Sequence, residues 1–546
     1  MDERTCRITG KKFTISDQEK EMYRQWDVPL SDLHPLERLR APSAYWNTFN
    51  LYWTKDARTG QRMLTNFDPE HFPVIYEGSY WMSADFDPRE YGRAFDFSRP
   101  FFEQWHELFL AVPKPSLTLL RCEDCSYCNY SVGCKHCYLT FNSLESENVH
   151  YSSLAFQCRD SIELFACTRC ELCFYCIQSE DCYRALFVDF SARCTDSTFL
   201  YNCQDCTHCY QCSNIKNKHY CIQNKQYSPE EYSKIVERID LQSFRTLEEE
   251  IGTWQRFLAD KPLRAERVVN CENSDGIMLK NCNNCHNCFN LTDGENNVNS
   301  YGQQLYDSTD ASGWEGSHHL LCSGGILSSR DILFSAMAEH SFAVWYSMFI
   351  FQSHDCFGCY GLRKSEYCIL NKPYAKDEYE KLRVRIVDHM KQTGEWGQSW
   401  PMSMSPYYYD DEALFFFPID DELSKKLGAR RRPAQVSHDE GMSVDLMPDH
   451  LSKFDDQWYG QTFLCKRTQR AFKITPQEGA LHKKLRVALP RTAWRTRLEE
   501  TYKFVFVLPH DAQCAVCAKK FSALIDPHET VRPLWCDACY LREFGQ

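Results

Sequence analysis

The stretch Cys158-Arg-Asp-Ser161-Ile-Glu-Leu164-Phe165-Ala-Cys167-Thr-Arg-Cys170-Glu-Leu-Cys173-Phe174-Tyr-Cys176-Ile-Gln-Ser179-Glu-Asp-Cys182-Tyr183 decides the fold. Every third residue is small or apolar, and the positions between carry charges, amides and aromatics. A helix repeats its buried face every 3.6 residues and a half-buried strand every 2.0. A beat of three fits neither. It suits a parallel β-solenoid, in which tight corners return small side chains to a narrow interior at fixed intervals.

The beat extends well beyond this stretch. All seventeen cysteines from Cys122 to Cys221 share one phase, and up to Cys212 the same phase holds Ser, Thr, Ala, Val or Leu wherever it lacks Cys. An aromatic follows at intervals of nine (Tyr138, Phe156, Phe165, Phe174, Tyr183, Tyr201, Tyr210), which reads as a packing stripe. Two nonads per turn imply coils of about 18 residues. The pattern returns from Ser329 to Cys359. Both blocks close alike, Tyr220-Cys221-Ile-Gln-Asn224-Lys225-Gln-Tyr227 against Tyr367-Cys368-Ile-Leu-Asn371-Lys372-Pro-Tyr374, at a constant offset of 147 that marks a tandem duplication. Each block then exits into a helix, one opened by the capping box Ser228-Pro-Glu-Glu231 and one running from Lys376 to Lys391 with Gly394 as its stop. These helices are expected to cover open solenoid ends, and the amphipathic segment Pro100 to Ala111 to cover the first solenoid.

Thiol strings such as Cys203-x-x-Cys206-x-x-Cys209 resemble metal-ligand spacing. Ser, Ala, Val and Leu replace Cys freely in the same phase, however, and ligands do not tolerate that exchange. A stacked thiol core is the better reading, Cys being small and readily buried.

The C-terminus differs. Cys514-Ala-Val-Cys517 and Cys536-Asp-Ala-Cys539 form two knuckles spaced as in a zinc ribbon or treble clef. Cys514, Cys517, Cys536 and Cys539 are the expected ligands of one structural Zn²⁺. With all four positions filled by protein, none is left for catalysis.

The N-terminus reads as a decayed copy of this module. Cys6, Phe13, Ile15, Ser16, Gln18 and Glu19 match Cys465, Phe472, Ile474, Thr475, Gln477 and Glu478. Asp68-Pro69, Pro73 and Tyr80 match Asp526-Pro527, Pro533 and Tyr540, which puts the ligand positions on Asp56, Thr59, Tyr76 and Ser79. That set is not one for zinc. Cys6 and Cys465 are remnants of a second knuckle.

The end modules, Asp87-Pro88 to Tyr91-Gly92, Phe95-Asp96-Phe97-Ser98-Arg99-Pro100-Phe101-Phe102, both CIxNKxY exits, Gly394-Glu395-Trp396-Gly397 and Ser405-Pro406 together carry a resemblance. The chain resembles a family of uncharacterised cysteine-rich zinc-ribbon/β-solenoid proteins from candidate-phyla bacteria. The resemblance implies paired knuckles in the N-terminal module, including a CPxC where this chain has His34-Pro35-Leu36-Glu37. It implies no established activity, and nothing in these residues supports the CoA-transferase label that some members carry.

The remaining features are ordinary. Asp410-Asp411 and Asp420-Asp421 read as solvated surface, Arg430-Arg431-Arg432 as an exposed linker tether, and His136, His318 and His319 as solvated or core histidines. No P-loop, GxGxxG, GxSxG or HExxH motif occurs.

The expected fold is mainly β with helical caps: two tandem Cys-lined parallel β-solenoids flanked by treble-clef or zinc-ribbon-like modules. The segments are a degenerate module (1–86), a capping helix and linker (87–115), solenoid 1 (116–227), a helical cap and linker (228–265), solenoid 2 (266–374), a second cap (375–396), a connector (397–459) and the C-terminal zinc module (460–546). The 546 residues suit several domains, and 43% hydrophobic with 25% charged residues describes a folding chain. The N-terminus has no secretory pattern, and no apolar run reaches membrane-spanning length. Thirty-one cysteines, an odd number with no export signal, favour reduced thiols in a cytoplasm over a disulfide framework. The net charge of −13 argues against broad nucleic-acid binding. The first functional reading is a non-catalytic cytosolic scaffold or binding protein with a protein partner. The alternatives are a metal- or redox-handling protein using thiol ladders, and an RNA-associated zinc-ribbon protein with nucleic acid at the zinc end. No catalytic site assembles, so an enzyme ranks last.

Overall fold

From Arg121 to Gln223 nearly every third residue has φ near +50°, and the residue after it points inwards. The structure, a computed structural model, describes residues 2–433, 440–502, 509–523, 525 and 530–545. Left-handed backbone costs a non-glycine residue about 1 kcal/mol. Here the cost is offset because each corner N–H donates to the coil beneath, as Asp181 does to the Thr168 carbonyl (2.9 Å) and Arg193 to that of Glu180 (2.9 Å).

The parallel register pairs Val149 with Ser161, Leu164 with Cys176 and Val188 with Leu200. One coil therefore takes 12 residues, four sides of three, and not the 18 expected from the aromatic beat. A three-residue phase is compatible with any multiple of three, so only the hydrogen-bond register fixes the coil. The aromatics correct in the same way. A step of nine falls three short of a full coil, so successive members turn from face to face: Phe165 and Phe174 are buried while Tyr183 is exposed. Vertical stacking runs at 12, as between Phe187 and Phe199 (4.8 Å).

Inside, the Cys158 thiol donates to the carbonyls of Phe156 (3.4 Å) and Cys167 (3.5 Å). The Ser179 hydroxyl donates in the same pattern, to those of Ile177 (3.0 Å) and Val188 (2.9 Å). Ser and Cys exchange because both are small donors aimed at the same two carbonyls. Cys158, Cys170, Cys182, Cys194 and Cys206 stack in one column through five consecutive coils, all buried. An outer face of the same solenoid carries ion pairs 12 apart, Arg169–Asp181 (2.6 Å), Arg184–Asp196 (2.6 Å) and Arg193–Asp205 (2.5 Å).

The second solenoid is less regular. Leu291 pairs with Gly302 and Tyr301 with Ser312, eleven apart, while Gly313 pairs with Ile326, thirteen apart. One short coil bends at Gly302, whose φ of +134° only glycine adopts readily; a Cβ there would lie 2.0 Å from the Gly313 carbonyl oxygen. Cys322 occupies a left-handed corner and faces outwards, unlike the interior cysteines.

Both solenoids end identically. The last strands turn back as antiparallel hairpins, Cys221 against Gln226 and Cys368 against Pro373. Asn224 closes the first by accepting from the Ser213 N–H (2.9 Å) and donating to its carbonyl (2.8 Å). Asn371 does the same to Tyr360 (2.9 Å each). The exit helices Pro229–Val236, with its capping box, and Lys376–Thr393, ended by left-handed Gly394, then set Tyr232 against Tyr220 (5.7 Å) and Tyr379 against Tyr367 (5.8 Å).

Two units result, each from separated stretches: 1–117 with 266–432, and 118–265 with 433–546. In the first, the N-terminal module lies on the second solenoid, with Trp26 stacked on His319 (4.2 Å). The helix Phe101–Ala111, expected over the first solenoid, instead packs Phe101 on Phe357 (5.4 Å) and Phe109 on Tyr360 (4.8 Å) of the second. Its apolar face signalled burial without naming the partner. The arginine run is likewise no exposed tether: Arg431 pairs with Asp410 (2.9 Å) and Arg432 with the buried Asp411, so that pair of acids is not solvated surface. In the second unit the C-terminal module lies on the first solenoid, through Phe174–His482 (5.3 Å) and Phe141–Trp494 (6.1 Å).

Each docking buries one arginine between two carboxylates. Arg38 bonds Glu19 (2.6 Å) and Asp310 (2.6 Å), with the Tyr23 hydroxyl donating to Asp310 (2.8 Å). Arg497 bonds Glu163 and Glu478 (3.3 Å), and the Tyr151 hydroxyl donates to Glu478 (2.7 Å). Burial pushes Asp310 up to about 6 despite the arginine, and raises Glu163 and Glu478 as well.

Candidate metal centre

The end modules contain four copies of one local element: a hairpin turn that presents a side chain to the start of a helix. In each turn the first residue donates its N–H to the carbonyl five residues ahead, and the residue four on donates back to its carbonyl. The turns open at Cys6, Asp56, Cys465 and Cys514. Opposite them stand His34, Glu77, Ala493 and Cys536, each at the start of a helix and each giving its backbone N–H to the side chain across from it. Only the fourth copy retains four cysteines.

There the four Sγ atoms lie within 4.8 Å of one another, with Cys517 and Cys536 at 3.7 Å. Four thiolates about 2.3 Å from a tetrahedral centre would stand about 3.8 Å apart, so the spacing fits a metal ion. Cys514, Cys536 and Cys539 are buried and Cys517 is exposed. The Cys536 N–H donates to the Cys514 sulfur (3.4 Å), and Arg542 approaches that of Cys539 (3.8 Å). Burial raises the Cys514 thiol, but the N–H groups of Cys536, Cys517 and Val516 outweigh it and bring it down to about 6. Burial and the neighbouring thiols push Cys539 up to about 12. A cation among the four sulfurs would favour the thiolate at each.

The helix Asp537–Phe544 that carries Cys536 and Cys539 is itself anchored. Arg264 clamps Asp537 (2.9 Å), strand Leu263–Arg264 pairs with Leu534–Trp535, and the Tyr540 hydroxyl donates to Asn214 of the solenoid (2.9 Å).

The other three copies are closed by hydrogen bonds. Superposing the helix starts moves the sequence correspondence by one residue: Asp56 and Thr59 face Glu77 and Tyr80, not Tyr76 and Ser79. The β-pairing shows this, since Ala57 donates to Ile75 as Ala515 does to Leu534 (2.9 Å each). The two half-sites of the fourth copy are therefore one residue further apart in sequence than those of the second; the Asp526-Pro527 match falls outside the described residues. Thr59 donates to Asp56 (2.7 Å), and Glu77 caps its own helix by accepting from the Ser79 N–H (3.0 Å). Beside Cys6, His34 caps its helix and Glu37 is held by Arg40 (2.7 Å). Beside Cys465 stand Ala493 and, 4.0 Å from its sulfur, Thr496. Burial raises the Cys465 thiol, but donors from Thr468 and Ala493 outweigh it and bring it to about 7.

Among the described residues, the Cys514 group is the one set of three or more metal-type ligands whose atoms converge. The solenoid thiols donate to carbonyls instead. His318 stacks on Tyr306 (4.5 Å), His136 lies 3.5 Å from Asp124, and Asp420 caps the helix Asp421–Leu427. Sequence reasoning missed the buried Arg38 and Arg497, although they keep the same offset as Glu19 and Glu478.

No protein-family model matches the chain. No curated protein matches it either. Among solved structures, one described as "putative acetyltransferase from Desulfovibrio desulfuricans G20" is similar over 50% of this chain and 81% of that one, at 8% identity and a TM-score of 0.11. So low a score carries no argument about this protein. Among the described residues no helix is long and apolar enough to cross a membrane.

Proposed function

We propose that the protein is a non-catalytic cytoplasmic scaffold whose C-terminal module is held by one structural zinc ion and whose solenoids present a rigid surface to a protein partner. The observation that carries the zinc reading is the convergence of the four cysteine sulfurs at tetrahedral spacing, with every ligand position filled by protein. A tetrahedral S₄ set takes zinc or iron. Zinc supplies cross-linking without redox chemistry, which suits a helix docked on a solenoid.

The exposed ion-pair ladders favour a protein partner over RNA. Arg169, Arg184 and Arg193 are each matched by an aspartate one coil on, so these three arginines are not surplus cations for phosphate.

Elemental analysis of the purified chain beside a native thiol titration tests the reading. About one zinc per chain is expected, with the buried solenoid thiols reacting only after denaturation and the half-exposed Cys122, Cys125 and Cys271 before it. Several metals per chain, or iron with its visible absorbance, would overturn it in favour of metal handling by the thiol ladders.

A further inference from the structure

We propose that a groove between the helix Asp17–Gln25 and the second solenoid binds a primary alkylammonium group, on a polyamine or a lysine side chain, through Asp307. The groove encloses about 450 Å³, and Glu21, Gln25, Asn284, Asn296, Asp307 and His319 supply its polar walls. No lysine or arginine lines it. Asn284 donates to Asn296 (2.9 Å), which donates to one oxygen of Asp307 (3.0 Å). Among the described residues Asp307 has no cationic partner. His319, its ring stacked on Trp26 and bonded to Asp331 (2.8 Å), forms a fixed wall.

The internal duplication shows what such an acid–amide pair holds. At the equivalent place in the other unit, Asn148 donates to Asp160 (2.6 Å), and the Lys484 ammonium reaches the second Asp160 oxygen (2.7 Å). Asn148 corresponds to Asn296 and Asp160 to Asp307, while Lys484 stands where the first unit has Gln25. Leu172 and Ala480 replace His319 and Glu21. One copy thus carries its own ammonium. The other keeps the carboxylate and the orienting amide, substitutes a neutral residue for the lysine, and adds an imidazole and Glu21, whose carboxylate is already paired with Arg24 (2.6 Å). The position that Lys484 fills in one unit is left to a ligand in the other. No residue of the C-terminal module lines the groove, so this inference stands apart from the zinc reading.

Calorimetric titration of the full chain at low salt tests it, with cadaverine and with an N-acetyl-lysine amide as the two ammonium sources and 1-pentanol as the uncharged control. Saturable binding of at least one amine at one per chain is expected, with none of the alcohol. Asp307→Asn should weaken it about tenfold, the scale of one charge-assisted hydrogen bond. Gln25→Lys, which copies the closed unit and removes no acid, should weaken it at least as much without lowering the melting temperature. Lack of saturation by either amine up to about 10 mM, or wild-type affinity in both variants, overturns the proposal.

Discussion

Glu163 and Asp310 occupy the same place in the two solenoids, and each accepts a hydrogen bond from a buried arginine of the module that covers it, Arg497 and Arg38 respectively. The two arginines also correspond to one another, as do the second carboxylates Glu478 and Glu19. The correspondence between the two units therefore includes the docking contact as well as the coils. All six side chains are at most 8% exposed, so neither triad is a surface ion pair of marginal worth.

Removing the arginine should be costly. Arg497→Ala leaves Glu163 and Glu478 facing each other out of water, and breaking a buried pair in this way costs about 3–5 kcal/mol. The expected outcome is early proteolytic release of the C-terminal module while the unit containing Arg38 keeps its protection. Wild-type proteolysis kinetics in R497A would refute the assignment.

The Arg38 triad should give stability a definite pH dependence. The folded carboxyl of Asp310 is raised to about 6 from 3.8, chiefly by burial, so the folded state binds that proton more tightly than the unfolded chain. Its favourable contribution is whole below about pH 4 and is lost as pH rises through 6, a change of about 3 kcal/mol. Asp310→Asn has no proton to lose. Melting both proteins at pH 4.5 and 7.5 should show the variant gaining relative to wild type at the higher pH, and an unchanged difference would count against the triad as described.

Cysteine-to-serine exchange should separate interior thiols from ligands. In Cys182→Ser the hydroxyl can donate to the same kind of carbonyl pair that Ser179 uses, so a loss of only about 1 kcal/mol is expected. Cys536→Ser removes a ligand and should abolish stoichiometric metal, with increased hydrogen exchange across 509–545. Equal effects of the two substitutions on metal content would contradict the distinction.

The solenoid ends should fray without their asparagines. Asn371→Ala leaves the N–H and carbonyl of buried Tyr360 without their side-chain partner, at about 1–3 kcal/mol for a buried polar group left unpaired. Faster amide exchange at Tyr360 than at the interior residue Ile332 is expected, and Asn224→Ala should do the same at Ser213. Unchanged exchange at both sites would remove the closing role.

Much of this fold is legible in the sequence because the narrow interior admits only small or apolar side chains, so the phase of Cys158, Ser161 and Leu164 holds at every position from Cys122 to Cys212. Coil length was not legible from that phase. It was recorded in the outward charges: Arg169 with Asp181 and Arg193 with Asp205 mark a 12-residue step, but the stronger aromatic beat of nine obscured it. The CxxC pairs marked the four cysteines whose sulfurs converge, since metal geometry would constrain such spacing directly. Which module covers which solenoid was not legible, because an apolar helix such as Phe101–Ala111 is complementary to either.

The interleaving of the two units has a consequence for how the protein is made. Residues 1–117 leave the ribosome well before the partner stretch that begins at 266. At about 5–20 residues per second, the nascent N-terminal module waits on the order of ten seconds or more for the first coil it will cover. During that interval Trp81, Phe101, Trp105 and Phe109, all buried in the finished unit, face solvent or a chaperone. The first solenoid likewise waits for the stretch that begins at 433. Synthesis order and folding order are uncoupled, and a chain released before residue 432 completes neither unit.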